Sequence, residues 1–447
     1  MSPSATPATV NPISDGKLPG HVGHLTTQET NMLKQMWVLL AELFKQPGTE
    51  FKPPQKKAEE PAPKKKTGGG WGFGKKEKKE QNTTELFLGA TTDPSWLSLP
   101  IEKAIPLIPG QALQKTFWNM VATDNPDAVV LRFLRARKWD QDAAYKMLIN
   151  TLRWRLVMRV DEITALGETG LRDELEKIKP GMGECFVQQL HSGKAFLGGP
   201  DKAGRGICFI NVRFHYKDDQ PLEVIKLLTI LVMETSRMVV AQPMEAACIV
   251  FNMDRFTLSN MDYDFVKFLL TCFEAYYPET LGNCQIYKAP WVFSTVWAVI
   301  KPWLDPVVAS KINFSDNLDQ LTQYIDMAAL PGCITGDKDK ISKDEMKVDP
   351  PKAGTLGNTT PAIKDYEEMI SEFEKDTAQW ATIQSPEEDN RHELAKRYRH
   401  MRIKAESDIR GRTSYHEKGL AQITSEGRLI IDYGSEGFIP KDITDIV

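Results

Sequence analysis

The stretch that most constrains the fold runs from Tyr276 to Ile312, YYPETLGNCQIYKAPWVFSTVWAVIKPWLDPVVASKI. At its centre Trp291, Val292, Phe293, Val296, Trp297, Val299, Ile300, Trp303 and Leu304 leave a helix with almost no polar face. Such a helix is buried or meets lipid. At roughly 12 residues it is too short for a bilayer, which needs about 20. Pro290 precedes it and Pro302 and Pro306 follow, and prolines break or kink helices. Two readings fit: an ordinary core helix, or a hinged lid that touches protein, ligand and membrane in turn.

Around this segment the chain alternates. Strand-like runs rich in Val, Ile and Phe occur at ICFINV (207–212), AACIVFNM (246–253), CQIYKA (284–289) and INFS (312–315). Helical stretches over about 222–238 and 262–276 separate them. Apolar strands joined by helical crossovers predict an α/β unit over 180–336 with a mainly parallel sheet. GGPDKAGRG at 198–206 precedes its strand and opens no helix, so it reads as a tight turn. Upstream, 111–160 reads as a small helical domain, with DNP starting one helix at 124–126 and Asp140 starting the next. A bundle of this size must pack on its neighbour.

The flanks differ in composition. Residues 1–25, rich in Pro, Ser, Thr and Gly, are expected to be disordered. Residues 26–46 form an amphipathic helix with Thr26 and Glu29 in capping-box positions. Residues 47–85 are a Lys/Pro/Gly-rich linker in which Trp71 and Phe73 sit among lysines, a composition that fits a solvated linker or an anionic surface contact. Its GGWGFGKK lacks the hydroxyl and preceding strand of a phosphate loop. A linker at 337–360 leads to a helical extension and tail over 361–447, acidic first and then basic (Arg391, Lys396, Arg397, Arg399, Arg402, Lys404, Arg410, Arg412). That basic half fits a helix docked on the body or one lying on a membrane. Neither flank is expected to form part of the pocket.

The net charge of −4 argues against a nucleic-acid partner. The six cysteines form no CxxC pair, so neither zinc nor a disulfide framework is expected. With no secretory signal and no spanning apolar run, the expected setting is the cytoplasm, with peripheral contact to membranes. No nucleophile–base pair or metal-ligand set emerges, so the chain reads as no enzyme, with no catalytic residue and no metal.

YYPETLG, AP, FS, KPWLDP and SKI in that order, with LRFLRARKWD at 131–140, resemble the CRAL-TRIO lipid-binding family, in particular its phosphatidylinositol-transfer branch. The resemblance covers roughly 111–336. It implies a helical domain packed on an α/β lipid-binding domain with a hinged lid of Phe293, Val296, Trp297, Ile300 and Trp303. It implies phosphatidylinositol as partner and bound phospholipid as ligand rather than cofactor. It assigns the inositol headgroup to Arg137 and Lys138 of RARK, Glu279 of YYPE and Lys311 of SKI, with Glu279 and Lys311 as a pair. Val308 stands where the family places a threonine that also contacts inositol. Ile249 and Phe251 stand where carriers of phosphatidylcholine have hydroxyls, which favours a more apolar second ligand, sterol-like or squalene-like. Some relatives bind haem through His and Tyr, but His215-Tyr216 alone carries no such assignment.

Taking a phospholipid from a bilayer transfers about 30 methylenes, worth roughly 24 kcal/mol, so the carrier needs a deep, dry cavity. Phe209, Ile230, Met233, Ile249, Phe251, Phe265, Phe268 and Tyr277 are the expected wall residues. The chain is thus expected to be a monomeric, non-catalytic carrier of phosphatidylinositol between membranes. A lipid-gated scaffold recruiting a lipid kinase or membrane tether is the alternative.

Overall fold

The structure, a computed structural model, describes residues 18–49, 93, 95–239, 245–336, 360–383, 390–434 and 438–447. The lysine-rich stretch around Trp71 and Phe73, residues 1–17 and nearly all of both linkers lie outside the described residues.

The first helix, Thr27–Phe44, starts with the capping box: Thr26 Oγ1 accepts from Glu29 N at 3.2 Å and Glu29 Oε2 from Thr26 N at 2.7 Å. Its Leu33, Met36, Trp37 and Leu40 are buried against helices Gly110–Val121, Pro126–Ala136 and Gln141–Val157. The same core takes in helices Pro361–Thr382 and Arg391–Ile409, whose Phe373 and Tyr398 rings lie 5.6 and 5.3 Å from Trp118. Asp127 joins all three parts. It accepts from Trp37 Nε1 at 2.7 Å and from both Nε and Nη2 of Arg391 at 2.7 Å. Residues 18–25, expected to be disordered, are packed here too, with Val22 and Leu25 against the core and Gly20 against Trp139.

Arg391, Arg399 and Arg402 of the last long helix are buried in the body, whereas Arg397 is exposed and pairs with Glu372 at 2.6 Å. Arg399 and Arg402 are each only 2% exposed. Arg399 donates to the carbonyls of Thr123, Ile443 and Thr444. Arg402 and Arg410 pair with Glu406. Removing Arg391 strands Asp127 in the core, and losing one partner of a buried pair typically costs 3–5 kcal/mol. Arg391→Ala should therefore lower the urea midpoint strongly, and a chain cut to about 85–345 should fail to fold. An unchanged midpoint would show that the clamp contributes nothing.

The main sheet has strand order β1-β2-β3-β4-β5, with β1 Ala195–Gly198, β2 Ile207–Asn211, β3 Ala247–Asn252, β4 Leu281–Tyr287 and β5 Ile312–Ser315. β2 to β5 pair in parallel; β1 is an antiparallel edge strand that the sequence does not announce. The extension is also not wholly helical. Ala421–Ile423, Leu429–Ile431 and Lys441–Asp442 form a three-stranded antiparallel sheet that packs on Leu197, Met238 and Val239. Side chains alternate across the main sheet. Ile207, Phe209, Cys248 and Val250 face a core with Leu321 and Ile325, while Cys208, Ile210, Ile249 and Phe251 face the opposite side.

Candidate lipid-binding site

That opposite side is a cavity. It holds about 1870 Å³ of empty space, counting the space at its mouth, between the sheet, the wall helix Leu222–Ser236, the helix Tyr263–Thr271 and the lid helix Phe293–Ile300. Met233, Ile249, Phe251, Phe265 and Tyr277 line it as expected, together with Phe293, Trp297 and Ile300 of the lid. Three expected wall residues do not. Phe209 falls on the other sheet face beside Phe196 at 5.3 Å. Phe268 and Ile230 pack in the helical core, with Lys226 Nζ 5.5 Å from the Phe268 ring. Both sheet faces are apolar, so alternation separates Phe209 from Cys208 but does not say which face is hollow.

The lid is apolar around its circumference yet buried on one side only. Phe293 (7% exposed), Val296 and Ile300 face inward, whereas Trp291 (87%), Val299 and Val307 face outward. Trp303 sits beside the lid, edge-on to Tyr263 at 5.9 Å with Lys267 Nζ 4.8 Å from its ring. The lid's far hinge is built by Lys301–Trp303 and by the short helix Pro306–Ala309, which Asp305 Oδ1 caps by accepting from Val307 N at 2.7 Å.

The charged residues do not assemble as the motifs suggest. Helix Pro126–Ala136 ends before Arg137 and Lys138, and both are exposed; Arg137 Nη1 donates to the Ala136 carbonyl at 3.3 Å. Instead Arg132 and Arg135, three apart on one face, turn inward. Arg135 Nε donates to Glu279 at 2.6 Å and its Nη2 to Glu245 at 2.7 Å. Arg132 reaches Asp124 at 3.1 Å and Glu245 at 3.3 Å, and Arg132, Asp124 and Glu245 all line the cavity. Glu279 and Lys311 make no direct ion pair. Lys311 Nζ donates to the Leu281 carbonyl at 2.6 Å. Burial lowers its pKa, against a raising effect of Glu279. Lys138 and Glu279 both have positive φ, 51° and 59°, conformations disfavoured for residues with a Cβ and often found at functional sites.

Comparison with known proteins decides the family. Residues 190–336 match the CRAL/TRIO domain and 70–150 the CRAL/TRIO N-terminal domain. The phosphatidylinositol transfer protein CSR1 of Eremothecium gossypii is 33% identical over 443 residues, covering 91% of this chain and 99% of that protein. The chain belongs to the CRAL/TRIO family. A CRAL-TRIO domain-containing protein of Schizosaccharomyces pombe is 35% identical over 346 residues, 75% of each chain. The SEC14 cytosolic factor of Yarrowia lipolytica is 31% identical over 201 residues, 42% of this chain and 38% of that one.

The CRAL/TRIO cavity here carries a polar support that its motifs do not reveal. Glu234, on the wall helix, accepts from Arg155 Nη1 and from Tyr277 Oη, both at 2.8 Å, and stands 3.5 Å from Arg237. The Arg410 guanidinium of the C-terminal extension bonds the Glu234 carbonyl at 3.1 Å. The extension therefore braces the cavity wall without lining the cavity. The only hint in the sequence is a single acid ending the apolar run LLTILVM. Burial pushes the Glu234 carboxyl up, but Arg155, Arg237 and Arg410 overcome it and hold it down at about 2. A depressed carboxylate stabilises the fold above its unfolded pKa of about 4.3, and that contribution is lost as pH falls toward 2. A shift of about 2 units is on the order of 3 kcal/mol. Glu234→Gln should therefore flatten the loss of stability between pH 5 and pH 2, read as urea midpoints. An acid limb as steep as the parent's would remove Glu234 from the linkage.

Proposed function

We propose that this protein binds phosphatidylinositol and exchanges it between membranes through the gated cavity. The observation that carries the reading is the cavity itself: apolar walls closed by a proline-hinged helix, with Arg132, Arg135, Glu245 and Glu279 gathered at one end. Apolar walls match acyl chains, and guanidinium groups match a phosphodiester. The relation to a protein named for phosphatidylinositol transfer over nearly its whole length supports the same ligand. In this reading the phospholipid is cargo, no cofactor takes part, and the protein is a carrier rather than a catalyst.

Trp291, Val299 and Val307, exposed with Lys288 and Lys301 nearby, suit transient contact with an anionic membrane surface. Among the described residues no helix is long and apolar enough to cross a membrane. We place the working protein in the cytoplasm, as a monomer that visits membranes. The test is transfer of labelled phosphatidylinositol from donor to acceptor vesicles by the pure protein, with no other protein present. Transfer well above the spontaneous rate is expected. A protein that binds the lipid yet leaves the rate unchanged would favour the scaffold that reports lipid to a kinase or tether.

A further inference from the structure

The arginine cluster is covered by a segment from outside the matched domains. Residues 18–25 precede both family regions, 70–150 and 190–336. They run into the capped helix Thr27–Phe44 and lie against the end of helix Pro126–Ala136. Arg135 Nη1 donates to the Gly20 carbonyl at 2.9 Å. His21 Nε2 stands 4.0 Å from Oε2 of Glu245, which lines the cavity. Gly20 is buried against the Trp139 ring, where an added Cβ would come within 2.9 Å. The segment thus touches the RARKW stretch at both Arg135 and Trp139.

The three nitrogens of Arg135 have unequal partners. Nε faces Glu279 at 2.6 Å and Nη2 faces Glu245 at 2.7 Å. Nη1 faces the neutral Gly20 carbonyl. A charge-assisted hydrogen bond is roughly twice as strong as a neutral one. A phosphate oxygen would therefore displace the carbonyl from that N–H more readily than it would displace either carboxylate.

The segment is built to yield. Its own hydrogen bonds close short turns: Gly20 N to His24 O at 3.3 Å, His21 N to Leu18 O at 3.2 Å and His24 N to His21 O at 2.9 Å. Gly20 and Gly23 carry positive φ, 74° and 78°. Its apolar contribution to the core is Val22 and Leu25, both only partly buried. Segments with few buried apolar contacts open at low free energy.

We infer that residues 18–25 are an autoinhibitory strap. Docked, they occupy Arg135 and keep it from the phosphodiester of an incoming phospholipid; released, they admit it. This rests on the proposed phosphatidylinositol reading and adds its regulation. Strap docking and headgroup binding oppose one another through one guanidinium, and such coupling is reciprocal.

The test uses the full chain and phosphatidylcholine vesicles containing radiolabelled phosphatidylinositol. Gly20→Val and Gly23→Val each force a β-branched residue into positive φ. The first also drives a Cβ into Trp139, whereas nothing lies within 4 Å of the second. Apparent affinity scales with the fraction of open molecules, so a strap docked in about nine-tenths of them gives about a tenfold gain in phosphatidylinositol affinity in both variants. In the parent, loading with phosphatidylinositol should speed amide hydrogen exchange across 18–25 and leave helix Thr27–Phe44 protected. That measurement needs no substitution and decides the matter if either variant is poorly folded. Affinities at or below the parent's in both folded variants overturn the inference. A gain in Gly20→Val alone would trace to Trp139 and also overturns it. So does exchange across 18–25 that loading leaves unchanged or slows, since a segment that tightens is a clasp on the headgroup. A parent that binds phosphatidylinositol with any of these results sinks this inference alone, whereas a parent that takes up none sinks the carrier reading as well.

Discussion

Phe293→Asp abolishes lipid transfer, by at least about a hundredfold, which corresponds to roughly 2.7 kcal/mol. Phe293 is the most deeply seated aromatic of the lid, edge-on to Phe256 at 5.6 Å and part of the cavity wall. A carboxylate there has no described cation to pair with, and an isolated charge in an apolar site is avoided at a cost of several kcal/mol. The closed, loaded form loses that stability, while the open form, with the side chain in water, does not. Trp297→Asp should act in the same direction but less strongly, because Trp297 is only half-buried. The measurement is vesicle-to-vesicle transfer at matched melting temperature. Parental transfer by folded Phe293→Asp would remove the lid from the mechanism.

The second large effect concerns headgroup choice. Glu279→Gln together with Lys311→Met should lower phosphatidylinositol transfer at least about tenfold. Uptake of ligands without an inositol headgroup should persist. The double change is preferable to either single one because Glu279 helps hold the Lys311 ammonium charged against its burial. Arg135 loses Glu279 but keeps Glu245 as a partner at 2.7 Å, so its buried guanidinium is not left without a carboxylate. Parental rates in the folded double variant would reduce the motif resemblance to shared architecture. Comparing Arg137→Ala and Lys138→Ala then asks whether the exposed turn after the helix contributes to the headgroup site.

What was legible in the sequence followed local rules. The prolines fence the lid wherever the chain goes, and runs such as ACIVFN make strands because β-branched and aromatic side chains suit a sheet covered on both faces. The Thr26–Glu29 cap is likewise a matter of three residues' spacing. The misses were decided by distant contacts. RARK looks like one basic motif, but the helix ends inside it, so Arg135 points inward and Arg137 does not. The basic last helix reads equally as docked on the body, solvated or lying on a membrane, and spacing alone does not choose. Only the carbonyls of Thr123 and Ile443, hundreds and tens of residues away in sequence, explain why Arg399 is buried. The edge strand β1 is four residues bounded by turns, too short for alternation to register.

The arginine-lined end of the cavity shows the same division. The motifs point to Glu279 and Lys311, but the residue that holds Glu279 is Arg135, and Glu245 carries no motif at all.

The central claim is that the cavity carries a phospholipid with an inositol headgroup. Its most direct test is mass spectrometry of the lipid extracted from the full-length protein purified from cells. The account expects phosphatidylinositol in near-stoichiometric amount, depleted in the Glu279→Gln, Lys311→Met variant. A protein that emerges empty, or filled only with lipids lacking an inositol headgroup, would contradict it.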